Sequence, residues 1–223
     1  MPAGWTASTD TGYSISFVDG HAVFSRNGSA GTGFARLTYN TSVGGDFLSV
    51  TVIPGDYSLP DGGSMALVAY VGGGFFDAYV RNSGGSIQGA SYTSLSDPPG
   101  NNPWTPWSGD AVLVIFRAGD TVQAGIMPGI PFVGPTPDLS GFVPLGSWTG
   151  DQYLGNATFE LSFGQETGPT GTASARADIF VLVTPPYAPD LIPPPGAEAV
   201  PEPATVGLVA AGLAALLWTR RRG

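Results

Sequence analysis

From Tyr13 onward the chain repeats one short theme, in which apolar residues alternate with polar ones for five to eight positions and a Gly, Pro, Asn or Asp cluster ends the run. Tyr13-Ser-Ile-Ser-Phe-Val18 alternates as a half-buried strand does. Asp19-Gly20 is a turn signal, and 21–25 reads as the returning strand of a hairpin. Further strands are expected at 34–39, 46–53, 65–71, 75–81, 86–92, 111–117, 121–126, 142–148, 157–163 and 175–184. Within 46–53, Phe47, Ser49, Thr51 and Ile53 share one face, while Leu48, Val50 and Val52 share the other. The runs 65–71 and 111–117 are apolar almost throughout, which suits central strands covered on both faces. Two long Pro- and Gly-rich loops, 93–110 and 127–141, interrupt the series.

Nothing before residue 204 carries a helical period. About a dozen short strands joined by Gly/Pro turns predict an all-β domain, a sandwich or a barrel, over residues 1–184. Residues 185–199 are dominated by prolines (Pro185, Pro186, Pro189, Pro193, Pro194 and Pro195) and read as a stiff extended linker. The apolar pattern then changes. Val200-Pro201-Glu202-Pro203 is an extended box, because both prolines oppose helix. Residues 204–219 carry no charge and consist largely of Leu, Ala, Val and Gly; Arg220, Arg221 and Arg222 follow. Such a run in lipid must be helical to satisfy its own backbone. Its 16 residues span roughly 24 Å, short of the ~30 Å bilayer core, so snorkelling arginines or local thinning would make up the difference. The arginine cluster would keep the C-terminus cytoplasmic and the domain outside.

The 223 residues include 34 glycines and 21 prolines, and the net charge is −9. There is no lysine, and three of the eight arginines sit in the tail. Without a basic patch to neutralise phosphates, nucleic-acid binding is not expected. The absence of cysteine excludes disulfides, thiolate metal sites and cysteine nucleophiles. Met1-Pro2-Ala3-Gly4-Trp5-Thr6 has neither a basic n-region nor an apolar h-region, so an export signal is expected upstream of Met1, the alternative being a degenerate product that never leaves the cytoplasm.

The order of Pro-Glu-Pro box, apolar helix and terminal arginine cluster resembles the PEP-CTERM protein-sorting signal of Gram-negative bacteria. The resemblance implies recognition by an exosortase, an integral-membrane cysteine transpeptidase. It also implies an inner-membrane stage, cleavage near residues 200–203 and delivery to the cell surface or an extracellular, biofilm-like matrix. The strand layout over residues 10–184 resembles concanavalin A-like, laminin G-like jelly rolls. That likeness implies an antiparallel jelly-roll β-sandwich of two sheets, one concave and often used for glycans. Such domains often hold a structural Ca²⁺, and Asp19 and Asp178, near the ends of the first and last strands, are the candidate ligands.

Candidate chemistry is sparse. His21 is the only histidine and abuts a turn, with no Gly-x-Ser-x-Gly elbow to supply a nucleophile for it. Glycosidases need two carboxylates facing each other across a cleft. No Glu-x-Asp-x-Glu run exists on any one strand, Asp77 has no acidic neighbour on its strand, and Glu160 and Glu166 are the only glutamates of the domain. A non-catalytic domain is therefore expected, with a carbohydrate-active enzyme of unrecognised site as the alternative. Glycan binding needs aromatic platforms beside polar groups. Trp104 and Trp107, with Asn101 and Asn102, supply these in the long loop, and Tyr79 with Arg81 on a strand. The expected partners are the exosortase, the membrane and a polysaccharide.

Overall fold

The computed structural model describes residues 1–95, 104–129, 138–166, 168 and 170–184. All of them belong to one compact unit, Met1–Ile192. The linker 185–199, the Pro-Glu-Pro box, the expected membrane helix 204–219 and Arg220–Arg222 lie outside the described residues, as do Asn101 and Asn102. Among the described residues no helix is long and apolar enough to cross a membrane.

The unit is all-β. Its strands are β1 (Trp5–Thr9), β2 (Tyr13–Val18), β3 (His21–Arg26), β4 (Gly33–Val43), β5 (Phe47–Ile53), β6 (Gly63–Val71), β7 (Gly74–Ser83) and β8 (Ser86–Thr93). They continue with β9 (Thr105–Pro106), β10 (Ala111–Ala118), β11 (Thr121–Met127), β12 (Val143–Thr149), β13 (Ala157–Gln165), β14 (Ala173–Ala177) and β15 (Ile179–Val183). A seven-stranded antiparallel sheet has the order β1-β4-β13-β6-β7-β8-β9. The second layer comprises a five-stranded sheet, β12-β11-β10-β5-β15, and a three-stranded sheet, β14-β3-β2.

The main core lies between the layers, where the inward faces of alternating strands meet. Leu37, Phe159, Leu161, Phe163, Met65, Leu67, Phe76 and Val80 come from the seven-stranded sheet. Phe47, Ile53, Leu113, Ile115 and Ile126 oppose them from the five-stranded sheet, and Phe24 and Ala175 from the three-stranded one. Edge-to-face contacts tie the layers together: Phe47 with Phe159 at 5.1 Å and Tyr13 with Phe163 at 6.3 Å between ring centroids. The two faces expected for 46–53 are those observed. Phe47 and Ile53 enter the main core. Leu48, Val50 and Val52 join Val112, Val114, Phe116, Met127 and Phe142 in a second apolar cluster on the other face of the five-stranded sheet. Gly125 is required there, since a Cβ at that position would collide with the Phe142 ring.

Two local features depart from the sequence pattern. The expected strand 175–184 is two strands, broken at Asp178, where the chain passes from the three-stranded to the five-stranded sheet and the Asp178 N–H donates to the Val52 carbonyl at 3.0 Å. β1 was not expected from its mostly polar sequence, yet it pairs with β4 from Trp5↔Tyr39 to Thr9↔Ala35. Trp5 anchors it through ring contacts with Tyr39 and Phe180. The hairpin at Asp19-Gly20 forms as expected, with φ of 49° and 84° at the two central residues, the doubly left-handed turn that suits the twist of paired strands.

Buried Arg117 fastens the loops beneath the five-stranded sheet. Its Nη1 donates to the carbonyls of Tyr153 at 2.9 Å and Gly155 at 2.7 Å, and its Nε to that of Gly45 at 2.8 Å, while the guanidinium rests over Phe47. Phe116, on the same strand, is fully buried against Phe142. Phe116→Ala is expected to cost about 3–5 kcal/mol in denaturant unfolding. A loss below ~1 kcal/mol would place β10 at the periphery, against the structure.

Candidate functional site

Alternation that sends large apolar side chains of the seven-stranded sheet into the core leaves a different set on its other face. Along β6 that set is Ser64, Ala66, Val68 and Tyr70. The first three are small, and β6 is the middle strand of seven, so they form the floor of a groove. Neighbouring strands carry larger groups and form its walls. The groove has a volume of about 510 Å³. From Ser64 to Tyr70 it extends roughly 20 Å at ~3.3 Å per residue.

Strand register sets which wall residues face one another. Val68 pairs with Glu160 of β13 on one side and with Asp77 of β7 on the other. Asp77 in turn pairs with Tyr92, and Glu160 with Thr38. The two carboxyl side chains therefore rise from opposite walls of the groove at one level. The next level pairs Ser162, Ala66 and Tyr79, and the one beyond it Gly164, Ser64 and Arg81. Tyr70, Phe75 and Tyr92 form an aromatic run at one end, with centroid separations of 6.0 and 5.6 Å.

The two acids sit in unlike surroundings. Glu160 is nearly buried and faces three donors: Thr38 Oγ1 and Tyr70 OH, each at 3.3 Å, and Arg36 Nε at 3.7 Å. Burial raises its carboxyl above the ordinary range, and Arg36, Thr38 and Tyr70 act against that rise. Asp77 accepts one hydrogen bond, from the Tyr92 N–H at 2.7 Å. Desolvation at the foot of its wall pushes its carboxyl up to about 8; the Tyr92 N–H opposes this and the charge of Glu166 adds to it. Burial likewise pushes the hydroxyls of Tyr70 and Tyr79 up to about 12.

Of the four residues expected to bind a glycan, three come together. Tyr79 and Arg81 line the groove. Trp104, more than one-third exposed, meets the Tyr79 ring edge-on at 6.0 Å and the Arg81 guanidinium at 5.6 Å. The Nε of Arg81 is buried and has no hydrogen-bond partner among the described residues. Trp107 does not join them. It packs against the main core, and its indole N–H donates to the Asp110 carbonyl at 3.1 Å.

Of the two expected calcium ligands, Asp19 sits in the turn between β2 and β3, and Asp178 is already engaged by Arg176 and His21. Arg176 Nε lies 2.6 Å from Asp178 Oδ1, and His21 Nδ1 lies 3.0 Å from the same oxygen. A carboxylate already engaged by a guanidinium is a poor Ca²⁺ ligand, and such sites need six to eight oxygens. Among the described residues no three His, Asp or Glu groups gather as a metal site. His21 is thus the partner of Asp178 at the crossing between sheets. Glu160 and Asp77 are the site residues that the sequence pattern did not bring forward.

Residues 199–222 match the family model of the PEP-CTERM protein-sorting motif. That motif implies a membrane-anchored precursor, processing by an exosortase and an extracellular destination. No curated protein sequence matches the chain. Several solved structures share the fold. The CBM2 module of the evolved Dit protein of Lactobacillus casei BL23 phage J-1 superposes with a TM-score of 0.55 at 11% identity, over 81% of this chain and 90% of that one. A bifunctional GH43-CE protein of Bacteroides eggerthii gives 0.59 at 16% identity, over 82% of this chain and 24% of that one. An alginate lyase from Klebsiella pneumoniae gives 0.50 at 9% identity, over 76% and 83%. At these identities the likeness is one of fold, a β-sandwich.

The raised Asp77 carboxyl has a consequence for stability. Between the ordinary value of 3.8 and about 8, the folded protein holds a proton that the unfolded chain releases, so stability falls as pH rises. The contribution is complete below 3.8 and is lost once pH passes about 8. Asp77→Asn is expected to flatten this decline between pH 5 and 8 in thermal melts relative to the parent. An unchanged slope would mean that Asp77 titrates as an ordinary surface acid.

Proposed function

We propose that this chain is an exported, exosortase-sorted surface or matrix protein whose domain, a concanavalin A-like jelly roll, binds a polysaccharide in the groove along β6. The groove itself carries this reading. It has a floor of small side chains, aromatic rings at both ends, and hydroxyl, guanidinium and carboxyl groups between them. Sugar rings use both kinds of surface: C–H faces stack on aromatic rings, and hydroxyls exchange hydrogen bonds with fixed polar groups. The Arg81 Nε beside Trp104, without a partner among the described residues, is a donor that a ligand oxygen can meet. Carbohydrate-binding and carbohydrate-active domains among the proteins of like fold support the reading.

The tail supplies the address. The prolines of the 201–203 box favour an extended segment that a membrane enzyme can reach, the apolar run is suited to hold it at the bilayer, and the arginine cluster to set the orientation. In this reading the apolar run 204–219 anchors the precursor in the membrane until processing near the box releases the domain with its proline-rich linker.

Each half has its own test. The full chain, produced behind a signal peptide, would be screened by affinity electrophoresis against soluble β-glucan, xylan, α-glucan and alginate. Retardation by at least one polysaccharide is expected. Trp104→Ala combined with Tyr70→Ala should weaken it on the order of tenfold or more, at 1–3 kcal/mol for lost stacking contacts. Retardation that the double variant leaves untouched would move the binding site elsewhere. For the tail, replacement of Pro201, Glu202 and Pro203 by alanine in a host with an exosortase should leave a membrane-bound precursor of unprocessed size. Normal shortening and release of that variant would show that the box is not the recognition element.

A further inference from the structure

We propose that Asp77 and Glu160 are an acid–base pair that hydrolyses the glycosidic bond of a polysaccharide lying across Val68, with inversion at the anomeric carbon. The inference rests on the glycan-binding reading of the groove and adds a reaction to it.

The geometry points to this because the carboxyl groups come from two strands rather than one. β13 and β7 are both hydrogen-bonded to β6, and Glu160 and Asp77 are both paired with Val68. Two interstrand steps of ~4.8 Å separate their Cα atoms by roughly 9.6 Å. Both side chains stand on the groove face, and only the short Val68 side chain lies between them. Carboxyl groups of inverting glycosidases stand about 6.5–9.5 Å apart, which leaves room for a water beside the sugar, while retaining enzymes hold theirs near 5 Å. Cα atoms a whole strand apart leave room between the two carboxyls for a sugar and a water, as the wider class requires.

The surroundings give the two acids different roles. Asp77 has a single backbone donor, and its carboxyl is pushed up to about 8, so at neutral pH it carries a proton. Glu160 is held by Thr38, Tyr70 and Arg36, all donors that favour its ionised form. Burial raises both carboxyls, but only Glu160 has a guanidinium and two hydroxyls set against the rise, and unlike environments of this kind are what acid–base assignment requires. Asp77 gives its proton to the glycosidic oxygen as the bond from that oxygen to the anomeric carbon breaks. Glu160 takes a proton from water as the water oxygen bonds to the same carbon from the opposite face. One product gains a reducing end and the other a free hydroxyl. Asp77 is left ionised and Glu160 protonated, and exchange with solvent restores both.

The test uses the full chain and the same four polysaccharides, with two readouts. Binding is followed by affinity electrophoresis and hydrolysis by new reducing ends. The parent is expected to produce reducing ends from the polysaccharide that retards it, with the inverted anomer seen first by proton NMR. Activity should fall as pH rises through about 8, with Glu160 and Glu166, Tyr70, Tyr79 and Tyr92, and Arg36 and Arg81 as the other charged or titratable groups of the groove. Asp77→Asn and Glu160→Gln should each lower turnover by about 10²–10⁴-fold, a far larger loss than either causes in retardation. Thermal melts establish that both variants fold, and Asp77→Asn replaces an acid that is already neutral by its isostere. Retardation of the parent without new reducing ends overturns the catalytic inference and leaves the binding reading standing. Parent-like turnover by either folded variant overturns the pair. Neither retardation nor turnover with any of the four overturns both.

Discussion

The antiparallel register of β13, β6 and β7 is the constraint on which the site depends. Period-two alternation means that one choice of pairing sends Phe159, Leu161 and Phe163 inward and places Glu160 and Ser162 outward. The same choice sends Phe76, Ala78 and Val80 inward and leaves Asp77, Tyr79 and Arg81 outward. A slip of one residue in β7 or β13 would bury a carboxyl and expose a phenylalanine, and one in β6 would expose Met65 and Leu67. Core packing thus fixes the groove, and the cost of burying a charge guards against the alternative.

Rigidity under the groove comes from the opposite layer. Phe47 meets Phe159 edge-on directly beneath the sheet, and Arg117 rests over Phe47 while it ties the Gly45 turn to the loop at Tyr153 and Gly155. Phe76 contacts both Trp148 and Tyr153. Strands that carry the groove residues therefore back onto interlocked aromatic rings. A site built on central strands over such a core holds its groups in place before a ligand arrives, which lowers the ordering cost of binding.

Most of the strand order was legible because alternation and turn residues are local signals. β10 reads as a buried strand from Val112-Leu113-Val114-Ile115-Phe116 alone, and both faces of β5 follow from its parity. β1 escaped because only Trp5 among its five residues is large and apolar, and its stability comes from pairing with β4. The break at Asp178 escaped because Ala177 and Ile179 on either side read as one apolar run. Tyr79 and Arg81 share one face of their strand by parity, and both line the groove, where Tyr79 is largely buried. Trp104 and Trp107 could not be told apart, since both sit in a loop without a period. The facing of Asp77 and Glu160 was not legible, because a search along single strands cannot see a pair made by the order of strands in a sheet.

The central claim is that the β6 groove is where this domain meets its ligand. Backbone amide shifts of the isotopically labelled protein, followed by NMR as fragments of β-glucan, xylan, α-glucan and alginate are added in turn, test it most directly. The account predicts that a binding fragment moves the amides of Ser64, Ala66, Val68, Asp77 and Tyr79 and leaves those of Val50 and Val114, on the far side of the molecule, unmoved. Shifts confined to the five-stranded sheet or to the three-stranded sheet, or none with any fragment, would contradict it.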